Sequence, residues 1–305
     1  MLEILRFQPE MAVDLARCYN TFVADVPHCA PVAAECFADI NRLSAAHTDE
    51  ERIVVAHETG RRIVGFAHIA IAAPPTQDWH PKGEPGIIRF LAYQLGHRAA
   101  GAALLEAAER WFQEHERREV CAWCNDYTYG FYHLPFAHLS DRLMCVHALL
   151  GQAGYRVSMS GPLFDWHDFE PPTVARPDLE FELRVEPLQE PWIGPKKMDA
   201  GVAVRAMRDE REMGLCEMGR LARSSSLEDA HDWCFCVDLD VEESVQDRGL
   251  GKSLLSAGLA EMRKLGCRHA FIDTEWDNYR AQLFYTNFGF SFCDRTFAFA
   301  KEMTD

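Results

Sequence analysis

The sequence predicts an α/β protein built from two similar units. A strand-like run at Trp233–Val241 leads through a glycine-containing loop into a helix-like run that begins at Lys252. The same succession occurs earlier in the chain, and aligning Gly101 with Gly251 brings the two copies into register. With 305 residues and a hydrophobic content of 48%, the chain is long enough for two domains with separate cores.

The elements of the first unit follow from short-range patterns. Alternating and β-branched runs predict strands, and apolar residues at helical spacing predict helices. The predicted order is a strand at 3–7, helices at 9–20 and 32–43, strands at 52–56 and 62–71 around a turn at 58–60, and a strand at 86–94. A helix with the apolar residues Leu104, Leu105, Ala108, Trp111 and Phe112 comes next, followed by a strand at 120–124.

The second unit is predicted from the same kinds of pattern. A linker at 170–177 precedes a strand at 181–185, and a hairpin follows at 202–207 and 213–221. The stretch between them is rich in Pro and Gly, so no helix is predicted there. After the loop, the helix has one apolar face formed by Leu255, Leu259 and Met262, and Gly266 marks its end. A further strand is predicted at 269–275.

The loop Gln246-Asp-Arg-Gly249-Leu-Gly251 has the composition of an anion-binding turn. Its backbone N–H groups lie beside the positive end of a helix dipole, and glycine lets phosphate oxygens approach the main chain. It is neither G-x-G-x-x-G nor G-x-x-x-x-G-K-[ST], which disfavours a Rossmann or P-loop protein. The loop therefore predicts a pyrophosphate site of another kind.

A second informative segment runs from Asn278 to Phe290. Asn278 is a favourable helix N-cap, and Ala281, Phe284, Tyr285 and Phe288 share one helical stripe. From spacing alone, Tyr285 is a core aromatic residue.

Together, the two segments resemble the GNAT superfamily of acetyl-coenzyme A-dependent N-acetyltransferases. The pattern Q/R-x-x-G-x-G/A is met at Gln246, Gly249 and Gly251, and N-x-x-A-x-x-L/F-Y-x-x-x-G-F is met from Asn278 to Phe290. The resemblance implies that each unit is a mixed, mostly antiparallel sheet flanked by helices. It implies a first unit at 1–168, a linker and first-strand region at 169–200, and a second unit at 201–305 that holds the acyl-coenzyme A site.

The resemblance also implies roles for particular residues. Acetyl-coenzyme A would be the co-substrate, and Tyr285 would protonate its leaving thiolate. A phenol with a pKa of about 10 suits that transfer. The implied cofactor-binding residues are Leu239, Asp240, Val241, Gln246, Asp247, Arg248, Gly249, Leu250, Gly251, Lys252, Ser253 and Asn278.

No general base is assigned from the sequence. In several relatives a Glu or His on the strand before the loop takes the proton of the amine, but the corresponding positions here are Val237 and Phe235. Strand alternation places Asp238 and Asp240 on the face opposite those two residues. Further carboxylates lie nearby in sequence at Asp232, Asp273 and Glu275.

The first unit lacks the residues to which the resemblance assigns binding and catalysis in the second unit. Gly96, Ala99 and Leu150 stand where the second unit has Gln246, Gly249 and Tyr285, and a leucine cannot protonate a thiolate. The first unit is therefore predicted to be a degenerate, structural copy. Alternatively, its aromatic insertion at 126–140 helps to form the acceptor site.

Composition limits the partners. Lys and Arg number 31 against 47 Asp and Glu, a net charge of −16, which disfavours nucleic acid. No long apolar run predicts a membrane span, and no secretory signal is recognised. Eleven cysteines, with a lone C-x-x-C at Cys121 and Cys124, predict reduced thiols in the cytoplasm and no metal site.

The predicted activity is transfer of an acetyl group to a primary amine of a small molecule or peptide, by a monomer or homodimer. One alternative is a catalytically inactive coenzyme A-binding or scaffold protein. The missing base favours it, as does the lack of the two helices that usually line the acceptor cleft in this family. Another is an acyltransferase for an amino-sugar thiol precursor, because mycothiol synthase is likewise a tandem of such units.

Overall fold

A computed structural model of the chain describes residues 2–38, 48–58, 62–73, 84–189, 192–193, 196–221, 225–226 and 228–303. The chain forms two compact units. The first comprises residues 1–161 together with 294–305, and the second comprises residues 162–293. None of the helices in these described ranges has both the length and the apolarity needed to cross a membrane.

The predicted strands and helices lie close to elements of the structure. The strands are β1 (Leu2–Arg6), β2 (Thr48–Glu58), β3 (Ile63–Ala72), β4 (Gly86–Tyr93), β5 (Glu119–Ala122), β6 (Leu139–Ser140), β7 (Arg156–Trp166), β8 (Glu182–Leu188), β9 (Trp192–Ile193), β10 (Lys196–Lys197), β11 (Asp199–Arg208), β12 (Arg211–Arg220), β13 (Trp233–Val241), β14 (His269–Asp273) and β15 (Ser291–Glu302). The helices are α1 (Ala12–Phe22), α2 (Glu35–Ala38), α3 (Arg98–Glu114), α4 (Met144–Gln152), α5 (Leu250–Lys264) and α6 (Tyr279–Phe288). Strands β7 and β15 and helix α4 were not predicted. Residues 39–43 of one predicted helix and 59–60 of a predicted turn lie outside the described residues.

The first unit is a mixed sheet with the strand order β1-β2-β3-β4-β5-β15. Its pairs are antiparallel except for β4 and β5. Neighbouring residues on β3 point to opposite faces, so Gly65 lies against Leu104 of α3 while Phe66 packs on Phe37 of α2. Helices therefore cover both faces of this sheet.

A buried polar network fixes the aromatic insertion to the first unit's sheet. His68 bonds to the Tyr129 hydroxyl at 2.8 Å and to Glu51 at 2.9 Å, and Arg89 donates to Glu51 at 2.6 Å. Burial, reinforced by the charge of Arg89, lowers the pKa of His68 to about 4. Burial would raise the pKa of Glu51, but the His68 hydrogen bond and the Arg89 charge lower it to about 2. At neutral pH the network is thus a neutral imidazole beside a paired carboxylate.

The second unit is also a mixed sheet, with residues 162–166 of β7 followed by β14-β13-β12-β11-β8. Only β13 and β14 pair in parallel. The helices α5 and α6 pack in one core on a single face, and Leu255, Leu259 and Met262 are fully buried there as predicted. The fold class is that expected for a GNAT unit.

The other face of the second sheet has a different character. Between β8 and β11 the described residues contain no helix, only the short hairpin β9–β10, in agreement with the sequence. On this face Arg205 pairs with Glu186 at 3.3 Å and Glu217 at 3.6 Å, and Arg184 pairs with Glu210 at 2.8 Å. Exposed pairs of this kind add little stability. They mark a solvated face.

Each sheet is completed by a strand from a distant part of the sequence. Phe299–Glu302 of β15 pair with Glu119–Ala122 of β5 inside the first unit, and Leu163–Trp166 of β7 pair with β14 inside the second. Residues 294–305, which the sequence boundaries assign to the second unit, thus belong to the first. Pro162 lies where β7 passes from one unit to the other, and proline cannot donate a ladder hydrogen bond there.

Asp294 fixes the returning segment inside the first unit. Its carboxylate is buried, accepts a hydrogen bond from the Ser140 hydroxyl at 2.6 Å, and lies 3.0 Å from Nε2 of His133. Burial works against ionisation, but the bonds from His133 and Ser140 lower the pKa of Asp294 below its usual value. Its stabilising contribution is therefore present above the unfolded-state pKa and is lost as the pH falls.

We expect Asp294→Ala to lower the free energy of unfolding by about 3 kcal/mol at pH 7, because charge-assisted buried bonds are lost. Guanidinium unfolding measures the loss, which should shrink below about pH 4 as the wild-type carboxyl becomes protonated. Glu302→Ala, at an exposed position of the same strand, is the control and should change stability by less than about 0.5 kcal/mol. Equal stability of the two variants at pH 7 would contradict the assignment.

Candidate active site

The loop between β13 and α5 presents an uncapped helix N-terminus. Asp247 (φ 60°) and Gly249 (φ 89°) both adopt left-handed backbone conformations, and α5 begins directly after Gly249 with no side chain capping it. The first-turn N–H groups of Leu250, Gly251 and Lys252 have no partner within the helix. Because the first turn also contains no acidic residue, it is suited to an anion.

Side chains brace this loop from two directions. Gln246 donates from Nε2 to the Val241 carbonyl at 2.8 Å, which ties the loop to the end of β13. Arg280 of α6 donates to the Asp247 carboxylate at 2.7 Å and also donates to the side-chain amide oxygen Oε1 of Gln246. Arg248 donates to the Asp178 carbonyl. No sequence pattern singles out Arg280, which adds a positive charge beside the loop.

The two glycines of the loop serve different purposes. Gly249 needs a left-handed conformation that L-residues rarely adopt. Gly251 has an ordinary conformation, and a Cβ atom there would meet Val241 at 3.6 Å and Phe284 at 3.9 Å, which are normal contacts. The fold itself does not require glycine at 251, so the missing side chain leaves room beside the helix terminus.

A β-bulge opens the sheet next to this loop. On β13, Cys236 pairs with Met218 and Asp238 with Glu217, so Val237 is an extra residue. The parallel ladder between β13 and β14 ends at Phe235 and Phe271, although both strands continue. The backbone of Leu239–Val241 therefore faces a gap between the strands, and its N–H and C=O groups on that side have no β14 ladder to join.

The bulge overturns one expectation drawn from strand alternation. Asp238 and Asp240 were expected opposite Phe235, but the extra residue at Val237 shifts the alternation by one. Cys236 and Leu239 thus face the helix-covered core, and the exposed Asp238 and Asp240 share the other face with Phe235, which stacks on Phe271 at 4.4 Å. Both carboxylates lie on the solvated face of the sheet.

Tyr285 lies on α6 beside the gap. Its side chain is 8% exposed and its ring contacts Phe284, Phe164 and Phe290 with centroid distances of 5.5, 6.1 and 6.2 Å. Within the described residues its hydroxyl forms no hydrogen bond. Burial, followed by nearby charges that include Cys236 and Asp273, raises the pKa of Tyr285. The phenol therefore stays protonated and can act as a proton donor.

Asn278 caps α6. Its Oδ1 accepts from the Ala281 backbone N–H at 3.1 Å, which confirms the N-cap predicted from the sequence. The Nδ2 group has no partner among the described residues. One side chain can thus order the helix with its oxygen and offer a donor to a ligand with its nitrogen.

The first unit has the same bulge but a closed gap. On β4, Ile88 and Phe90 pair with consecutive residues of β3, so Arg89 is the extra residue. Tyr93 packs so closely on Gly101 that a Cβ there would lie 2.5 Å from the ring, and its hydroxyl donates to the Cys145 carbonyl of α4 at 2.8 Å. Leu150, aligned with Tyr285, is fully buried. An aromatic side chain thus fills the space that is open in the second unit.

Comparison with known proteins agrees with this geometry. Residues 163–290 match the acetyltransferase (GNAT) family. This part of the chain is a GNAT acetyltransferase domain, and the whole chain has the fold of a tandem GNAT protein, as the sequence motifs predict. No curated protein sequence matches the chain significantly.

Three solved structures illustrate the likeness of fold. A tandem GNAT protein from the clavulanic acid biosynthesis pathway, solved without AcCoA, is 16% identical with a TM-score of 0.62, and the match covers 100% of both chains. A GCN5-related N-acetyltransferase from Sphaerobacter thermophilus is 13% identical with a TM-score of 0.60, covering 99% of this chain and 95% of that one. A GCN5-related glucosamine N-acetyltransferase region of a fungal multi-domain GH3 β-N-acetylglucosaminidase is 12% identical with a TM-score of 0.65, covering 99% of this chain and 38% of that one.

The two glycines can be separated experimentally. We expect Gly251→Ala to keep the wild-type melting temperature, because its Cβ fits, yet to weaken acetyl-coenzyme A binding at least about tenfold by narrowing the approach to the helix terminus. Gly249→Ala should lower the stability of the second unit by about 1–2 kcal/mol, since alanine strains at positive φ. Calorimetric titration and thermal unfolding of both variants test this. An unchanged affinity of the Gly251→Ala variant for acetyl-coenzyme A would show that the loop is not part of the binding site.

Proposed function

We propose that the second unit transfers an acetyl group from acetyl-coenzyme A to a primary amine of a small molecule or peptide. The observation that carries this proposal is the gap between β13 and β14, because it lies next to both an uncapped helix terminus and the hydroxyl of Tyr285. An anion site, a strand edge and a proton donor are the three elements that a coenzyme A thioester needs.

The donor would lie along these elements in order. Its pyrophosphate would accept hydrogen bonds from the backbone N–H groups of the loop from Gln246 to Ser253. Lys252 and Arg280 would supply positive charge beside it. Its pantetheine arm would pair with the free edge of Leu239–Val241, as an added strand does, and would accept a hydrogen bond from Asn278. The space left by the missing side chain at Gly251 would accommodate the coenzyme where its pyrophosphate joins the pantetheine arm.

The chemistry would be direct transfer. A neutral amine attacks the thioester carbonyl, and backbone N–H groups at the end of β13 stabilise the oxyanion that forms, which is worth about 3 kcal/mol of barrier. When the C–S bond breaks, Tyr285 gives its proton to the coenzyme A thiolate. The raised pKa of Tyr285 keeps the phenol protonated at neutral pH, so its proton is present when the thiolate forms.

The acceptor would approach from the face that lacks helices. There Asp238 and Asp240 are exposed beside the gap, and their charge favours a cationic amine. The net charge of −16 makes nucleic acid an unsuitable partner. We propose a cytoplasmic enzyme that acts as a monomer or homodimer and without a membrane partner.

The rival proposal is a coenzyme A-binding scaffold without catalysis. The absence of a Glu or His at Phe235 and Val237 favours it. The intact motif from Asn278 to Phe290, which places Tyr285 beside the gap, argues against it.

We expect Tyr285→Phe to lower kcat for acetyl transfer about 100-fold while the Kd for acetyl-coenzyme A stays within about twofold. The measurement is thiol release from acetyl-coenzyme A in the presence of a panel of primary amines, with calorimetry for binding. Tyr279→Phe removes a hydroxyl from an exposed position of the same helix and is the control. Full activity of Tyr285→Phe would exclude the acid role, and binding without transfer by the wild type would favour the scaffold.

A further inference from the structure

The end of β14 places a carboxylate at the gap. Phe271 is the last residue of β14 that pairs with β13, and Asp273 follows it by two residues and so points to the same face. Ile272, between them, faces the helix-covered core. Asp273 therefore lies on the face shared by Phe235 and Asp238, where the two strands have separated.

The surroundings of Asp273 differ from those of an ordinary surface carboxylate. It is half-buried, and in the described part of the chain it has no Lys, Arg or His ion-pair partner. Leu163 of β7 lies directly opposite it in the ladder. The titratable groups near the gap include Tyr285 on α6 and both Cys236 and Asp238 on β13. Asp165 of β7 lies opposite Phe271 and therefore on the same face as Asp273. The charge of Asp273 contributes to the raised pKa of Tyr285.

These features give Asp273 the properties of a proton acceptor. Burial raises its pKa to about 6, with only its own backbone N–H opposing the shift. A group with this pKa is ionised at neutral pH yet basic enough to take a proton from an ammonium ion. No cation neutralises it, so its charge remains available to an incoming substrate.

We propose that Asp273 is the general base that deprotonates the acceptor amine, from the strand next to the one that carries the base in several relatives. The inference rests on the proposed acetyl transfer. The ammonium form of the acceptor loses one proton to Asp273, the neutral nitrogen forms the C–N bond, and the C–S bond breaks. Tyr285 gives its proton to the thiolate, and the nitrogen's second proton returns to the tyrosinate. Asp273 then releases its proton to water.

The test compares Asp273→Asn, Asp273→Glu and, as a control at an exposed carboxylate that follows β14, Asp277→Asn with the wild type. Two probe amines are used: benzylamine, which is an ammonium ion at pH 7, and 2,2,2-trifluoroethylamine, which is largely neutral there. For benzylamine we expect kcat/KM of Asp273→Asn to fall about 100-fold, Asp273→Glu to restore part of it, and Asp277→Asn to change it less than threefold. For trifluoroethylamine the loss in Asp273→Asn should be less than about tenfold.

The pH profile and stability provide independent readouts. The wild-type kcat/KM should rise through about pH 6 as Asp273 loses its proton, and this limb should vanish in Asp273→Asn. Because the folded pKa is raised, ionisation of Asp273 costs stability as pH rises through that value. Asp273→Asn should therefore melt higher than wild type at pH 8 and equally at pH 4.

The outcomes separate the two proposals. An active wild type with an equally active Asp273→Asn variant, or equal losses for both amines, overturns the base assignment and leaves acetyl transfer intact. A wild type that binds acetyl-coenzyme A but acetylates neither amine nor any member of the wider panel overturns both. A variant that loses activity together with acetyl-coenzyme A binding assigns Asp273 a structural role and also overturns the inference.

Discussion

The site depends on one extra residue in a strand. Because Val237 has no partner on β12, β13 bends at that point and its ladder with β14 stops at Phe235. The other features of the site depend on this separation of β13 from β14. The free edge of β13 and the opening beside Tyr285 would be closed if β13 and β14 stayed paired to their ends. Without the extra residue, Asp238 and Asp240 would lie on the helix-covered face.

Comparison of the two units shows that a single side chain determines whether the gap beside the bulge is filled or open. Both contain the bulge, at Arg89 in the first unit and at Val237 in the second. In the first, the Tyr93 ring occupies the space and its hydroxyl is bonded to the backbone of α4. In the second unit Val241 lies beside Gly251, as Tyr93 lies beside Gly101, and its side chain is too short to fill the gap. The two units thus differ in packing at the bulge as well as in their motif residues.

Sequence reasoning succeeded where the determinants are local. The loop, the Asn278 cap and the stripes of α5 and α6 depend on residues within one or two turns, and the structure has them as expected. It failed where a distant partner decides. The bulge at Val237 reversed the faces of Asp238 and Asp240, and neither the bonds of Arg280 nor the setting of Asp273 could be read without knowing which strands pair. The assignment of residues 294–305 to the first unit depends on the same long-range pairing.

The exchange of strands constrains how such a chain can arise and be divided. A copy cut from the chain at the linker would lack its last strand, since β5 is completed by β15 and β14 by β7. Each fragment would then display an unpaired sheet edge, which invites association with other chains. Each unit therefore depends on a segment from the other part of the sequence for a complete sheet. The strand that completes a sheet is needed for that sheet whatever chemistry the unit performs.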